Sequence, residues 1–170
     1  MITLLTDLAK AHDEVSVIIQ QVPDRALDWQ SSTDEWSLKQ TIGHLAHAND
    51  FYIMIVTAAR ATVFGTAKLH PELAGWKHMA TTDAAVAQCT TTLGVYDCFE
   101  HTYQLMLTVL RGIIHEELDR PFVFCQPDRE PYTTTLRQRV VLMATNHLRE
   151  HKTQLSNTLA GWQAIYKAEA

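Results

Sequence analysis

Two histidines near the carboxyl end of the chain have a spacing that suits metal binding. His147 and His151 are four residues apart, so on a helix with ~100° per residue their side chains lie about 40° apart, one turn above the other. Two imidazoles in this arrangement can hold one ion, because the ~6 Å rise of a turn matches the span between two ligand nitrogens. Two ligands alone make a poor site, so a third has to come from elsewhere.

His44 is the candidate third ligand. It lies on a segment whose spacing predicts a helix, beside the apolar flank of Ala48, Phe51 and Ile55, so its ring is expected to face a neighbouring helix. Three neutral imidazoles leave a divalent ion with open positions, where a water or a thiol can lose a proton and act as a nucleophile. The alternative is that each histidine is a hydrogen-bonded core residue, and the spacing alone does not exclude it.

The string from His147 to His151 also fits His-x-x-Glu-His, the pattern of the inverted zinc peptidases, in which Glu150 would be the general base. Such a peptidase needs a further acidic ligand later in the sequence, and only Glu169 follows His151. The peptidase interpretation is therefore set aside. Glu150 is expected to be a solvated surface carboxylate, with orientation of a ligand or acceptance of a proton as the alternative.

Three further histidines fall in the interior of predicted helices. His12 occupies a position in the apolar seam of the first helix, where core packing is favoured over contact with a metal ligand or a substrate. His47 falls on the polar side of its helix, and His101 lies on a polar stripe, so both are predicted to be surface residues.

Four segments carry apolar residues at the three- and four-residue spacing of amphipathic helices. They are predicted at residues 3–22, from Ser37 to about Val63, from Thr82 or Asp83 to about His115, and from Thr134 to about Tyr166. The second begins with Ser-x-x-Gln, the form of a capping box. Four long helices predict an all-α four-helix bundle, with residues 1–170 as a single domain.

The connections between the last three helices differ in character. Residues 66–82 lack periodicity and predict a long crossover between helices two and three. Pro121, Pro127 and Pro131 mark the connection to helix four, within which Phe122-Val123-Phe124 is expected to form a short extended piece.

The composition argues against several functional classes. Lys and Arg number 14 against 19 Asp and Glu, a formal net charge of −5, and no stretch gathers the basic residues into a patch for nucleic acid. The three cysteines are widely spaced without a Cys-x-x-Cys pair, which predicts reduced thiols and a cytoplasmic location. The acidic start of the chain and its short uncharged stretches predict neither a signal peptide nor membrane insertion.

Two motifs carry a resemblance to a known family. In Trp36-Ser37-Leu38-Lys39-Gln40-Thr41-Ile42-Gly43-His44 a Trp-Ser pair opens the helix and a histidine follows eight residues after the tryptophan; in 147–155 two histidines precede a glutamine and an aliphatic residue. In both respects the sequence resembles the DinB-like family, also called YfiT-like metal-dependent enzymes. His47 departs from the family pattern, since many relatives carry an acidic residue there, and Glu150 stands where relatives often have another histidine.

The resemblance implies a four-helix bundle in which His44, His147 and His151 bind a divalent metal, with zinc or nickel as the expected ion. Relatives include transferases and isomerases that use a low-molecular-weight thiol, as well as hydrolase-like members. The implied function is therefore metal-assisted chemistry on a small-molecule substrate, with water or such a thiol as the activated group. Relatives often pair, which implies homodimerisation through a helical face. The alternative is a binding or stress-response bundle that keeps the fold without turnover.

Overall fold

The computed structural model describes residues 2–61, 84–126 and 129–166. Four long helices make the frame: α1 (Ile2–Gln20), α2 (Leu38–Ala61), α4 (Thr92–Arg111) and α6 (Met143–Tyr166). Two short helices, α3 (Ala84–Gln88) and α5 (His115–Leu118), flank α4, and a 3-10 turn at Asp24–Ala26 follows α1. None of the described helices has the length and apolar character needed to cross a bilayer.

The four long helices form a bundle in which α2 packs against α4 and α6, and α1 packs against the same two helices. Its core consists of the seam residues that the sequence pattern indicates, among them Val15 and Ile19 of α1, Ile42 of α2, Met106 of α4 and Leu155 of α6. The predicted four-helix bundle is therefore confirmed. The predicted crossover at 66–82 lies outside the described residues.

The start of α2 is fixed by the capping box that the sequence predicts. The backbone N–H of Gln40 donates to Ser37 Oγ at 3.1 Å, and the backbone N–H of Ser37 donates to Gln40 Oε1 at 2.8 Å. The two bonds satisfy amide groups that the first turn of a helix leaves without partners. This cap sets where α2 begins and thus where His44, on its second turn, points.

Helix three is not continuous, in contrast to the prediction. A break at residues 89–91 separates α3 from α4, and Thr91 begins α4 as an N-cap whose side chain accepts from Gly94 N at 3.2 Å. The backbone N–H of Thr92 also donates to Asp24 Oδ1 at 2.7 Å. These bonds to the cap and to the loop after α1 favour a new helix start over continuation. At the other end α4 stops at Arg111, and His115 begins α5 instead of ending helix three.

A β-hairpin occupies the connection before α6. Strand β1 (Pro121–Gln126) pairs antiparallel with β2 (Arg129–Thr135), with Phe122 opposite Thr134 and Phe124 opposite Tyr132. The predicted extended piece is confirmed as the middle of β1, whose side chains at 122 and 124 are buried. The predicted start of helix four at Thr134 is wrong, because this residue belongs to β2 and a π-helical stretch at Arg137–Leu142 precedes α6.

Candidate metal centre

The three candidate ligands come from the two helices that sequence analysis assigned them to. His44 lies on α2, and His147 and His151 lie one turn apart on α6, which packs directly against α2. Among the described residues, these three form a group that could hold a metal ion, with one nitrogen from each ring within 4.8 Å of the others. The predicted convergence of two distant segments is therefore present.

The nitrogens that meet are the Nε2 atoms. His147 Nε2 lies 2.9 Å from His44 Nε2 and 3.1 Å from His151 Nε2. Ligands bound to zinc at ~2.0–2.1 Å in a tetrahedral arrangement are about 3.3 Å apart. These two separations are close to this spacing, so the ring positions suit a small divalent ion.

Gln154 holds the His151 ring in the orientation that a ligand needs. His151 Nδ1 lies 2.7 Å from Gln154 Oε1, and because an amide oxygen only accepts, the imidazole donates its N–H there. The neutral ring then carries its lone pair on Nε2, the atom that faces the other two histidines. A hydrogen bond of this kind to the second nitrogen is the usual support of a metal-binding histidine.

The rings are held in their neutral form by their surroundings. Burial, reinforced by the neighbouring His151 and His44 rings, lowers the pKa of His147 to about 3. Burial also lowers the pKa of His151, against the opposing effects of Gln154 and Glu150. Since a metal binds the unprotonated nitrogen, such rings lose little affinity to competing protons at neutral pH.

Two aromatic side chains line the cluster. The Trp36 ring stacks parallel to His151 at 6.2 Å between centroids and meets His44 edge-on at 4.8 Å. The ring of Tyr52, buried on α2, meets His147 edge-on at 6.5 Å. These contacts limit the rotamers of all three imidazoles and screen part of the cluster from water.

Comparison with known protein families identifies the superfamily of this chain. The sequence matches the family model of the DinB superfamily over residues 7–155. The chain belongs to the DinB superfamily. No protein of curated function matches it.

Two solved structures share the fold of this chain. One is YfiT from Bacillus subtilis, described as a probable metal-dependent hydrolase with an unusual four-helix bundle topology; it is 18% identical, with a TM-score of 0.61 over 93% of this chain and 86% of that one. The other is a DinB-like protein from Bacillus cereus ATCC 10987, 12% identical, with a TM-score of 0.61 over 92% and 89% of the two chains. At these identities the likeness extends to the fold alone.

Two grooves reach the histidine cluster of this DinB protein from outside. The first, here called the His151 groove, runs between α6 and the loop before α2, and its charged lining residues are Asp34, Glu35 and Glu150. The second, the His147 groove, lies between α6 and the π-helical stretch, and Glu150 is the charged residue that lines it. Glu150 is exposed, as predicted, and it borders both grooves.

The other histidines of this DinB chain take different positions. His12 is buried against Phe99 and Tyr103, which agrees with the core packing that the sequence favoured. His101 is exposed, as predicted. His47 is half-buried instead of exposed, because the first half of α2 is enclosed: residues 41–46, which precede it, are all buried.

The sequence analysis missed the parts played by Trp36 and Gln154. Both residues belong to the motifs that carry the family resemblance, but the motifs alone assigned them no role. The signal that could have found Gln154 is its place three residues after His151, on the same helix face. No local spacing predicts that Trp36, which precedes the helix, folds back over the rings.

Proposed function

We propose that this protein is a metal-dependent hydrolase that acts on a small molecule, with His44, His147 and His151 as the ligands of a divalent ion. The observation that carries the proposal is the meeting of three Nε2 atoms, from a cluster in which His151 lines one groove and His147 lines another. Their nearest separations, 2.9 and 3.1 Å, suit a shared ion. Zinc or nickel is the expected ion, since imidazole suits both.

An ion held by three neutral imidazoles keeps open positions and lowers the pKa of a bound water towards neutrality. The protein's own residues supply the rest. Gln154 fixes the tautomer of His151, and Trp36 shields one side of the cluster from solvent. Glu150 borders both grooves, where its carboxylate can accept a proton from the attacking group.

Water is favoured over a low-molecular-weight thiol as the attacking group. Common small thiols of cells carry carboxylates, and the charged residues lining the His151 groove are Asp34, Glu35 and Glu150. Like charges at such a site oppose the entry of an anionic thiol. A thiol-dependent transferase remains the second candidate. Homodimerisation and a cytoplasmic location stay predictions.

Elemental analysis of the protein, purified without an affinity tag or added metal, tests the ligand assignment. We expect one ion per chain in the unmodified protein and in His101→Ala, whose exposed ring lies away from the cluster. We expect only a trace in His147→Ala, with the helical content of both variants checked by circular dichroism. The same substoichiometric trace in all three proteins would remove the metal site and the hydrolase proposal with it.

Cobalt substitution tests whether the site is open, as an enzyme requires. A small anion such as azide should change the visible absorption of the cobalt form, because it replaces a solvent ligand. A bundle that keeps the metal without turnover would show no change, since its ion would be saturated by the protein. Cysteamine and 3-mercaptopropionate then form a matched pair of thiols with opposite charge. Stronger binding of the anionic thiol would contradict the groove argument.

A further inference from the structure

The thiols of Cys89 and Cys98 lie close together at the break between α3 and α4. Cys89 Sγ lies 3.9 Å from Cys98 Sγ, and both side chains are half-buried. Bonded sulfurs are ~2.0 Å apart, so closure requires the two atoms to approach by roughly 2 Å, a distance within the reach of side-chain rotation. The two cysteines lie outside the histidine cluster and play no part in the proposed metal site.

The break in helix three is what brings them together. On one continuous helix, with ~100° and ~1.5 Å per residue, cysteines nine positions apart would lie on opposite faces, about 13.5 Å apart along the axis. Cys89 instead stands in the break, ahead of the Thr91 cap that starts α4. Because the helix is interrupted there, the side chain of Cys89 lies against the face of α4 that carries Cys98.

Gly94 provides the space for this contact. It lies on α4 four residues before Cys98, on the same helix face. A Cβ built at Gly94 would meet Cys89 Sγ at 3.4 Å and Thr91 Oγ1 at 3.2 Å. The absence of a side chain at Gly94 therefore allows the Cys89 thiol to rest against the first turn of α4, one turn away from Cys98.

Further bonds fix the position of Cys89. Its thiol donates to Ala85 O at 3.3 Å, one turn back on α3. Its own carbonyl accepts from Lys39 Nζ of α2 at 3.5 Å, and Lys39 also pairs with Asp28 at 2.7 Å. The Cys89 backbone is thus tied to the start of the helix that carries His44.

We propose that Cys89 and Cys98 form a reversible intramolecular disulfide by exchange with small-molecule disulfides such as glutathione disulfide. The thiolate of one cysteine attacks a sulfur of the small disulfide, which releases one small thiol and leaves a mixed disulfide on the protein. The second cysteine then attacks the protein sulfur of that mixed disulfide and releases the second small thiol. Two protein thiols and one small disulfide give one protein disulfide and two small thiols, so atoms and electrons balance.

The product would join α3 and the break to the second turn of α4. Disulfides in proteins of reducing compartments are usually transient and respond to redox conditions. The pair would therefore act as a modification site that stiffens the chain at the start of α4 under oxidising conditions, beside the Lys39 contact to α2.

The experiment treats the folded full-length protein with glutathione disulfide at neutral pH, followed by alkylation and peptide mapping. We expect a Cys89–Cys98 cross-link with the loss of two hydrogen atoms, both in the unmodified protein and in Cys125→Ser. Cys89→Ser and Cys98→Ser are expected to trap the mixed disulfide with glutathione on the remaining cysteine of the pair. These serine substitutions are close in size to cysteine, and circular dichroism checks that each variant folds.

Three results would overturn the proposal: mixed disulfides on both cysteines of the unmodified protein without a cross-link, a cross-link to Cys125 instead, or a cross-link between two chains. The thermal midpoint is a second readout. It should rise on oxidation of the unmodified protein and of Cys125→Ser, and it should not rise in Cys98→Ser treated in the same way. An equal rise in Cys98→Ser would also contradict the proposal.

Discussion

His44 and His12 are equally buried, at 5% and 4% exposure, yet they stand in opposite surroundings. The Nε2 atom of His44 lies 2.9 Å from that of His147. The Nε2 atom of His12 lies 3.1 Å from Glu100 Oε2, while the ring stacks on Tyr103 at 3.5 Å between centroids. One ring faces other bases, and the other faces an acid and an aromatic plane.

The comparison shows that burial alone does not make a ligand. Burial lowers the pKa of both His12 and His147, but Glu100 and Asp13 oppose this effect at His12, whereas His151 and His44 reinforce it at His147. A carboxylate favours a proton on the ring, and two further imidazoles favour a shared cation. The neighbouring groups, not the depth, distinguish the structural histidine from the candidate ligand.

The largest difference between the two positions is expected in metal affinity. Structural zinc sites bind with roughly 10–16 kcal/mol from four ligands, so the loss of one ligand costs on the order of 3 kcal/mol, or about 100-fold in affinity. We expect that loss for His44→Ala and no measurable loss for His12→Ala. Competition with a chromogenic chelator measures both. Equal losses in the two variants would erase the distinction.

In the metal-free protein, the free energy of unfolding should depend on His12. His12→Ala removes a ring stacked on Tyr103 and Phe99 and is expected to lower the free energy of unfolding by about 2 kcal/mol. The exposed His101→Ala should stay within about 0.5 kcal/mol of the unmodified protein. Urea unfolding in the presence of a chelator provides the measurement, and a stable His12→Ala would mean that the stack contributes little.

Loss of the hydrogen bond between His151 Nδ1 and Gln154 should reduce metal affinity by a smaller factor than loss of a ligand. Gln154→Leu keeps the side-chain volume but removes the acceptor for His151 Nδ1, and we expect a 10–100-fold loss of affinity, which is about the usual range for such partners. Gln104→Leu is the matched control. Gln104 lies on the exposed side of α4, a helix that carries none of the three candidate ligands, and its side-chain amide donates to Glu100 Oε1. If both variants bound metal as the unmodified protein does, the hydrogen bond would have no role in the site.

The smallest expected effect concerns the proton affinity of His12. Since burial holds its pKa below the usual 6.5, the ring contributes stability that is present above pH 6.5 and is lost as the pH falls towards the folded-state pKa. Glu100 and Asp13 face the ring and raise its pKa, so Glu100→Gln should lower it further. NMR titration of the imidazole checks the direction. A higher pKa in the variant would show that Glu100 does not stabilise the charged ring.

Much of the bundle, and the placement of His147 and His151 on one helix face, was predictable because both follow from helical periodicity. The capping box at Ser37 and the four-residue spacing of His147 and His151 are local patterns, and each is present in the structure. For His44, the third candidate ligand, the sequence predicted only which face of its helix carries the ring. Its meeting with the pair also needed α2 and α6 to be neighbours, which the family resemblance implied.

The wrong predictions of secondary structure concern segments whose conformation depends on contacts with residues distant in the sequence. The helix break at residues 89–91 depends on a bond from Thr92 to Asp24, a residue 68 positions away. Strand β2 was missed because Pro131 suggested an irregular connection, although proline is tolerated in the edge strands of a two-stranded sheet. Thr134 and Thr135 were assigned to the helix, yet their β-branched side chains also suit a strand, and pairing with β1 decided the outcome.

The π-helical stretch at Arg137–Leu142 should tolerate the deletion of one residue, which an α-helix does not. A turn with i→i+5 bonds accommodates one residue more than an α-helical turn. Deletion of a single residue there should therefore be absorbed by a return to i→i+4 bonding, which leaves the rotational phase of His147 and His151 unchanged. The same deletion inside α6, between Met143 and Asn146, would turn both imidazoles by about 100° relative to the hairpin side of the helix. Length variation among related sequences is accordingly expected to concentrate in the wide turn.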